Sequence, residues 1–282
     1  MAARHLHMVG AMQAIGVTTP DGLTLAAQAW GNPQGREILF IHGFNQAHLA
    51  WLRQVGDPDL ARAFRMVTFD LRGHGASDKP ADKDRYAADT LWGDDVAAVM
   101  DAAGLARPVI VAWSYGGRVL ADYLRTHGAG RIAGINYVSA RTVVDPAMFG
   151  PGRQNYPNMQ SDDLAANIAG TRGFVRACFA RPPSQDDFEV MLAFNMVVPP
   201  HVRAHVLGRP QDTPEVLARI ACPVLVTHGT ADAVLLASMG EYTASRINGA
   251  KLSLYEGVGH TPFWEDAPRF NRELAAFVSA IR

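Results

Sequence analysis

The chain has 282 residues, of which 48% are apolar and 19% charged, a balance that supports a packed core and excludes an intrinsically disordered chain. Its formal net charge is −1 and it holds no run of five or more like charges, so it lacks the basic surface that nucleic acid demands. Residues 1–16 contain no continuous apolar stretch, and no later segment reaches the length of a membrane-spanning helix, so the expectation is a cytoplasmic protein without nucleic-acid or membrane partners.

Along the chain, residues 16–30 read as a hairpin, with Pro20-Asp21-Gly22 as the turn between two alternating segments. Aliphatic, β-branched runs follow at 37–41, 64–69, 108–112, 135–139, 223–228 and 251–255. Being apolar nearly throughout, they suit strands buried on both faces of a mainly parallel sheet. Helical patterns lie at 87–103 and 115–126, and a C-terminal helix carries Phe270, Leu274, Phe277, Val278 and Ile281, a spacing that sets one stripe against the sheet. Strands alternating with helices indicate right-handed crossovers in a doubly wound α/β fold, with the hairpin as an antiparallel edge. The alternation breaks at 141–218, where Pro and Gly punctuate helical pieces such as 161–169 and 186–197. The expected organisation is a core of residues 1–140 and 219–282, with 141–218 as a helical lid inserted after the sixth strand. Cys178 and Cys222 form neither a C-x-x-C pair nor a disulfide framework and are expected to be reduced.

Val109-Ile110-Val111-Ala112-Trp113-Ser114-Tyr115-Gly116-Gly117 is a buried strand running into a serine and then a glycine pair that opens a helix. Such a turn lifts the serine clear of the sheet, and the helix N-terminus sets partial positive charge beside a developing oxyanion. A serine there can also be a simple N-cap, so further segments must decide. At these residues the chain resembles the α/β-hydrolase superfamily, whose elbow is usually G-x-S-x-G; here it is A-x-S-x-G, with Ala112 in place of the first glycine. The resemblance implies a carboxylesterase-like serine hydrolase with Ser114 as nucleophile. Ile38-Leu39-Phe40-Ile41-His42-Gly43-Phe44 ends in the His-Gly pair of the family's oxyanion loop, which implies that the backbone N–H groups of Phe44 and Tyr115 hold the oxyanion, with His42 bracing the loop.

Val224-Leu225-Val226-Thr227-His228-Gly229-Thr230-Ala231-Asp232 ends a strand with an aspartate where the family carries its acid. Asp145, after the preceding strand, is the competing acid. Gly257-Val258-Gly259-His260-Thr261-Pro262 precedes the last helix, as the family's histidine does, so His260 is the expected general base and the chain order is Ser, Asp, His. Asp70-Leu71-Arg72-Gly73-His74-Gly75-Ala76-Ser77 also resembles a family segment and reads as structural, with Asp70 paired to Arg72; a substrate contact by His74 is the alternative.

Phe149, Met191 and Phe194 from the lid, with Trp113 beside the nucleophile, are expected to line an apolar pocket, while most other large lid residues pack the lid onto the core. Arg141, Arg153 and Arg172 stand near or within the lid, where a charged substrate could recruit them. No H-E-x-x-H or Cys-His set suggests a metal, and no P-loop or G-x-G-x-x-G turn suggests a nucleotide, so no cofactor is expected. The expected partner is a small, largely apolar carboxylic ester, lactone or thioester, cleaved through an acyl-enzyme. The same three residues would serve a carbon–carbon bond hydrolase or lyase, a perhydrolase side reaction, or a ligand receptor on a hydrolase scaffold. Serine rather than aspartate at the nucleophile argues against the epoxide-hydrolase and dehalogenase branches, and oligomeric state is left open.

Overall fold

An eight-stranded sheet runs through the computed structural model, which describes residues 12–209 and 214–281. Its strands are β1 (Gln13–Thr18), β2 (Thr24–Gly31), β3 (Arg36–Ile41), β4 (Phe64–Phe69), β5 (Val109–Trp113), β6 (Gly134–Val138), β7 (Val224–Gly229) and β8 (Lys251–Tyr255). They lie in the order β1-β2-β4-β3-β5-β6-β7-β8. The hairpin β1–β2 and the β2–β4 pair are antiparallel, and every later pair is parallel.

The continuous apolar runs of β3 and β5 are explained by two cores. Because side chains alternate along a strand, Leu39, Ile41, Ile110 and Ala112 enter one core with Trp92, Val96, Val119 and Leu120. These last four come from the helices Asp89–Ala102 and Tyr115–His127. Ile38, Phe40, Val109, Val111 and Trp113 enter the other core with Trp51 and with Phe270, Leu274 and Val278 of the helix Ala267–Ala280. Phe277 and Ile281 of the expected stripe are only partly buried at its margin.

Between β6 and β7 the chain leaves the sheet and forms helices Leu164–Ala177, Gln185–Met196 and Pro200–Leu207. The first runs later than the 161–169 pattern suggests, because the Asp163 side chain caps it by accepting from the Ala166 N–H at 2.7 Å. Cys178 and Cys222 are free thiols. Among the described residues, no helix is long and apolar enough to cross a membrane.

The expected Asp70–Arg72 pair does not form. A turn begins at Arg72 and swings its buried guanidinium to Asp95 at 2.6 Å and Asp21 at 3.1 Å. Asp70 instead accepts from the His48 N–H at 2.7 Å and from its ring Nδ1 at 2.9 Å.

Chain connections leave β3 toward β4 on one side and, after β4, return to β5 on the other side of β3. At such a reversal the loops diverge and open a crevice beyond the C-terminal strand ends, where open α/β sheets hold their ligands. Residues 42–44 and Ser114 border it.

Candidate active site

Ser114 follows β5 directly, with φ 54° and ψ −118°, a conformation that costs a residue with a side chain roughly 1–3 kcal/mol. Its surroundings hold it there. The Ser114 N–H donates to the Val138 carbonyl at 3.0 Å, and its own carbonyl accepts from the N–H groups of Gly117 at 2.9 Å and Arg141 at 2.8 Å. The helix that follows starts very close to the sheet, and a Cβ on Gly116 would lie 2.6 Å from the Ile41 carbonyl oxygen. Space for the turn is thus made at Gly116, while Ala112 is fully buried in register with Ile41 and Tyr137.

The loop after β3 approaches the serine from the other side, where a Cβ on Gly43 would stand 3.0 Å from the Ser114 Cβ. Among the described residues, no backbone acceptor takes the N–H of Phe44 or of Tyr115. Two buried histidines brace this loop. His42 Nε2 accepts from the Leu71 N–H at 3.0 Å and His74 Nε2 from the Asn45 N–H at 3.1 Å. Each ring therefore carries its proton on Nδ1, which donates to the carbonyl of Gly43 at 2.8 Å or of Arg72 at 2.9 Å. Burial lowers the pKa of His42 to about 4 and that of His74 to about 3, which keeps both neutral and able to accept near pH 7.

Asp232 lies just beyond β7. Its Oδ2 is 2.7 Å from His260 Nδ1 and 3.2 Å from His228 Nε2, and its Oδ1 accepts from the N–H groups of Val234 at 2.8 Å and Leu235 at 2.9 Å. Burial pushes the carboxyl's pKa up, but the charge of His260 and the hydrogen bonds from His228 and His260 outweigh it and hold the group well below the usual carboxylate range. The other ring nitrogen of His260, Nε2, is buried with no hydrogen-bond partner. The His260 backbone is fastened to the serine's own strand, since its carbonyl accepts from Trp113 Nε1 at 2.9 Å. Asp145 takes no part; it caps a 3-10 turn by accepting from the Ala147 N–H at 2.9 Å.

Ser114, Phe44 and Tyr115 open onto a cavity of about 250 Å³, together with Phe149, Arg141 and Arg153. Of the four pocket residues expected from sequence, the structure brings only Phe149 to the serine. Trp113, Met191 and Phe194 surround a separate hollow of about 10 Å³ with Cys178 and Phe263. Trp113 lies there because it continues the alternation of β5 into the core opposite the helix Tyr115–His127. Sequence reasoning passed over His228, for which the spacing of four residues to Asp232 was the available signal. It also passed over Asn195, in the helix Gln185–Met196, whose Oδ1 accepts from Asn45 Nδ2 at 2.7 Å, tying that helix to the loop that carries Phe44. Among the described residues, no group of three or more His, Cys, Asp or Glu is placed to hold a metal ion.

A mainly parallel sheet with a strained serine at its central strand end and an Asp–His pair on the loops after its last two strands defines an α/β hydrolase. The model of the Alpha/beta hydrolase family matches residues 38–273, and the chain belongs to that family. It is 30% identical to a non-heme chloroperoxidase of Streptomyces lividans, over 94% of this chain and 99% of that protein. It is likewise 30% identical to the bifunctional esterase/perhydrolase DCH of Acinetobacter calcoaceticus, over 93% of this chain and 98% of that one. The crystal structure of an esterase from Rhodococcus sp. ECU1013 superposes with a TM-score of 0.88 at 32% identity, covering 95% of this chain and 99% of that one.

Proposed function

We propose that the protein hydrolyses small carboxylic esters, lactones or thioesters through an acyl-enzyme, with residues 141–218 acting as a lid on a body made of 1–140 and 219–282. The observation that carries this reading is the Asp232–His260 hydrogen bond, which leaves His260 Nε2 as the one unengaged nitrogen of a ring fastened to the serine's own strand. A bond from Nδ1–H to a carboxylate fixes the tautomer in which Nε2 is the base.

In this mechanism Nε2 removes the Ser114 hydroxyl proton as Oγ attacks the substrate carbonyl carbon. The imidazolium that forms is stabilised by Asp232, which stays ionised. The N–H groups of Phe44 and Tyr115 hold the oxyanion, each contributing roughly 100- to 1000-fold in rate. Collapse of the intermediate expels the alcohol, which takes its proton from His260, and a water deprotonated by the same nitrogen then releases the acid and restores Ser114. The cavity of about 250 Å³ beside Ser114 suits a small substrate.

The test is hydrolysis of p-nitrophenyl esters from acetate to octanoate by the wild type and Ser114→Ala. The expected result is turnover that peaks at short chains and falls to background in the variant; a variant that keeps its rate overturns the assignment of Ser114. The names of the chloroperoxidase and perhydrolase relatives favour a second reaction of the same acyl-enzyme, in which hydrogen peroxide replaces water and releases a peroxy acid with Ser114 restored.

A further inference from the structure

We infer that the cavity beside Ser114 selects substrates bearing a carboxylate, and that Arg153 is the residue that binds it. The inference rests on the serine-hydrolase reading and names its substrate class. The chain as a whole is nearly neutral, with a formal charge of −1, yet the cavity lining holds two arginines and no aspartate or glutamate.

Arg153 is poised for anion binding. Its guanidinium lies 4.0 Å over the Phe149 ring, and among the described residues it forms no ion pair. Stacking on an aromatic face leaves the N–H edge of the fork free, which is the edge that grips a carboxylate with two parallel hydrogen bonds. Arg141 adds a second positive charge, with its guanidinium 5.9 Å from the Tyr115 ring; it has interactions of its own, so the assignment stands on Arg153.

The backbone that leads into Arg153 is fixed against the turn that carries Asp232. Phe149 bridges to Leu235 as a two-residue antiparallel pair, and the N–H groups of Gly150 and Gly152 donate to the carbonyls of Val234 at 3.0 Å and Ala233 at 2.8 Å. The Arg153 segment is therefore clipped to the turn whose N–H groups also hold Asp232. A cavity of about 250 Å³ has room for a short chain ending in a carboxylate.

Two anionic esters test this, each beside a neutral partner in which a methyl ketone replaces the carboxylate. Monoethyl glutarate, beside ethyl 5-oxohexanoate, puts the charge on the acyl side; 4-acetoxybutanoate, beside 5-acetoxypentan-2-one, puts it on the alcohol side. The wild type should favour the anion in at least one pair by kcat/KM. Arg153→Gln should cut that anion-to-neutral ratio by roughly 10- to 100-fold, with Arg153→Lys falling between. Ser114-dependent turnover of the neutral partners with no preference for either anion, or a preference that Arg153→Gln leaves intact, overturns the inference but spares the hydrolase reading. If no ester is turned over, the hydrolase reading fails, and calorimetry with glutarate decides the anion site. Binding to the wild type that weakens tenfold or more in Arg153→Gln upholds the site, and no binding, or equal binding, removes it.

Discussion

His260 Nδ1 and Asp232 Oδ2 lie 2.7 Å apart across 28 residues of sequence, and both side chains are withdrawn from solvent. Water cannot compete for that hydrogen bond, so it sets which nitrogen of the ring is left to act as a base. Asp232→Asn presents an amide in place of the carboxylate and removes the charge that would stabilise the imidazolium. The ester-hydrolysis kcat of this variant should fall by roughly 10⁴-fold, while Asp145→Asn should stay within a few-fold of wild type. A fall of less than tenfold for Asp232→Asn would disqualify it as the acid.

Strain at Ser114 predicts a conflict between stability and activity. Glycine adopts positive φ without a Cβ penalty, so Ser114→Gly should unfold at higher urea, with a gain of about 1 kcal/mol, and should show no esterase activity. An unfolding midpoint at or below that of the wild type would mean that the conformation is not strained.

Gly43 lies where the loop after β3 passes Ser114, and a Cβ there would press 3.0 Å from the Ser114 Cβ. Because the N–H of Phe44 follows directly, Gly43→Ala should displace one oxyanion donor. We expect kcat to drop roughly 100-fold with KM little changed. Steady-state kinetics on a p-nitrophenyl ester would show this, and a variant altered only in KM would contradict it.

Arg209 fastens the segment after the helix Pro200–Leu207 to the helix that follows Ser114. Its guanidinium is buried and donates to the Tyr115 hydroxyl at 2.9 Å, to Asp122 at 2.7 Å and to Asp89 at 3.0 Å. Arg209→Met removes one of the two arginines paired with the buried Asp122 carboxylate, Arg125 being the other, and should cost up to about 3 kcal/mol in chemical denaturation. The double variant Arg209→Met/Asp122→Leu should regain part of that loss; if it is no more stable than Arg209→Met alone, the lost charge partner is not the cause.

Acid stability should carry the signature of Asp70. Burial raises the pKa of this carboxyl, but the hydrogen bond and charge of His48 outweigh it, with smaller contributions from His42 and the Ala76 N–H, and leave it at about 2 against an ordinary 3.8. A depressed carboxylate stabilises the fold above the unfolded pKa and loses that contribution as pH falls toward the folded one. Unfolding free energy should therefore drop by on the order of 2 kcal/mol between about pH 4 and pH 2. In Asp70→Asn the slope over that window should be shallower, and equal slopes in the two proteins would exclude Asp70 as its source.

Some of the site could be read from the sequence because its parts are local. A strand that ends in Ser-Tyr-Gly-Gly must turn sharply, and one that ends in Gly-Thr-Ala-Asp leaves its acid at the sheet edge; neither feature depends on distant packing. Strands β3 to β7 were legible for a similar reason, since burial on both faces removes the polar alternation and leaves unbroken apolar runs, while the hairpin β1–β2 was marked by its Pro-Asp-Gly turn. The Asp70–Arg72 pair was misread because nearness in sequence does not decide which way two buried side chains turn. Arg72 instead found Asp21 and Asp95 across the turn.

The sequence by itself determined the fold class, the family and the candidate nucleophile, acid and base, because periodicity and short motifs encode them within a few residues of one another. Only the tertiary structure decided what faces the serine. It put Phe149, Arg141 and Arg153 around that cavity and sent Trp113, Met191 and Phe194 to another. The reason is physical: a pocket wall is assembled from side chains of separate elements, and their directions are set by strand alternation and by how the helices between β6 and β7 pack, neither of which is written at any single position.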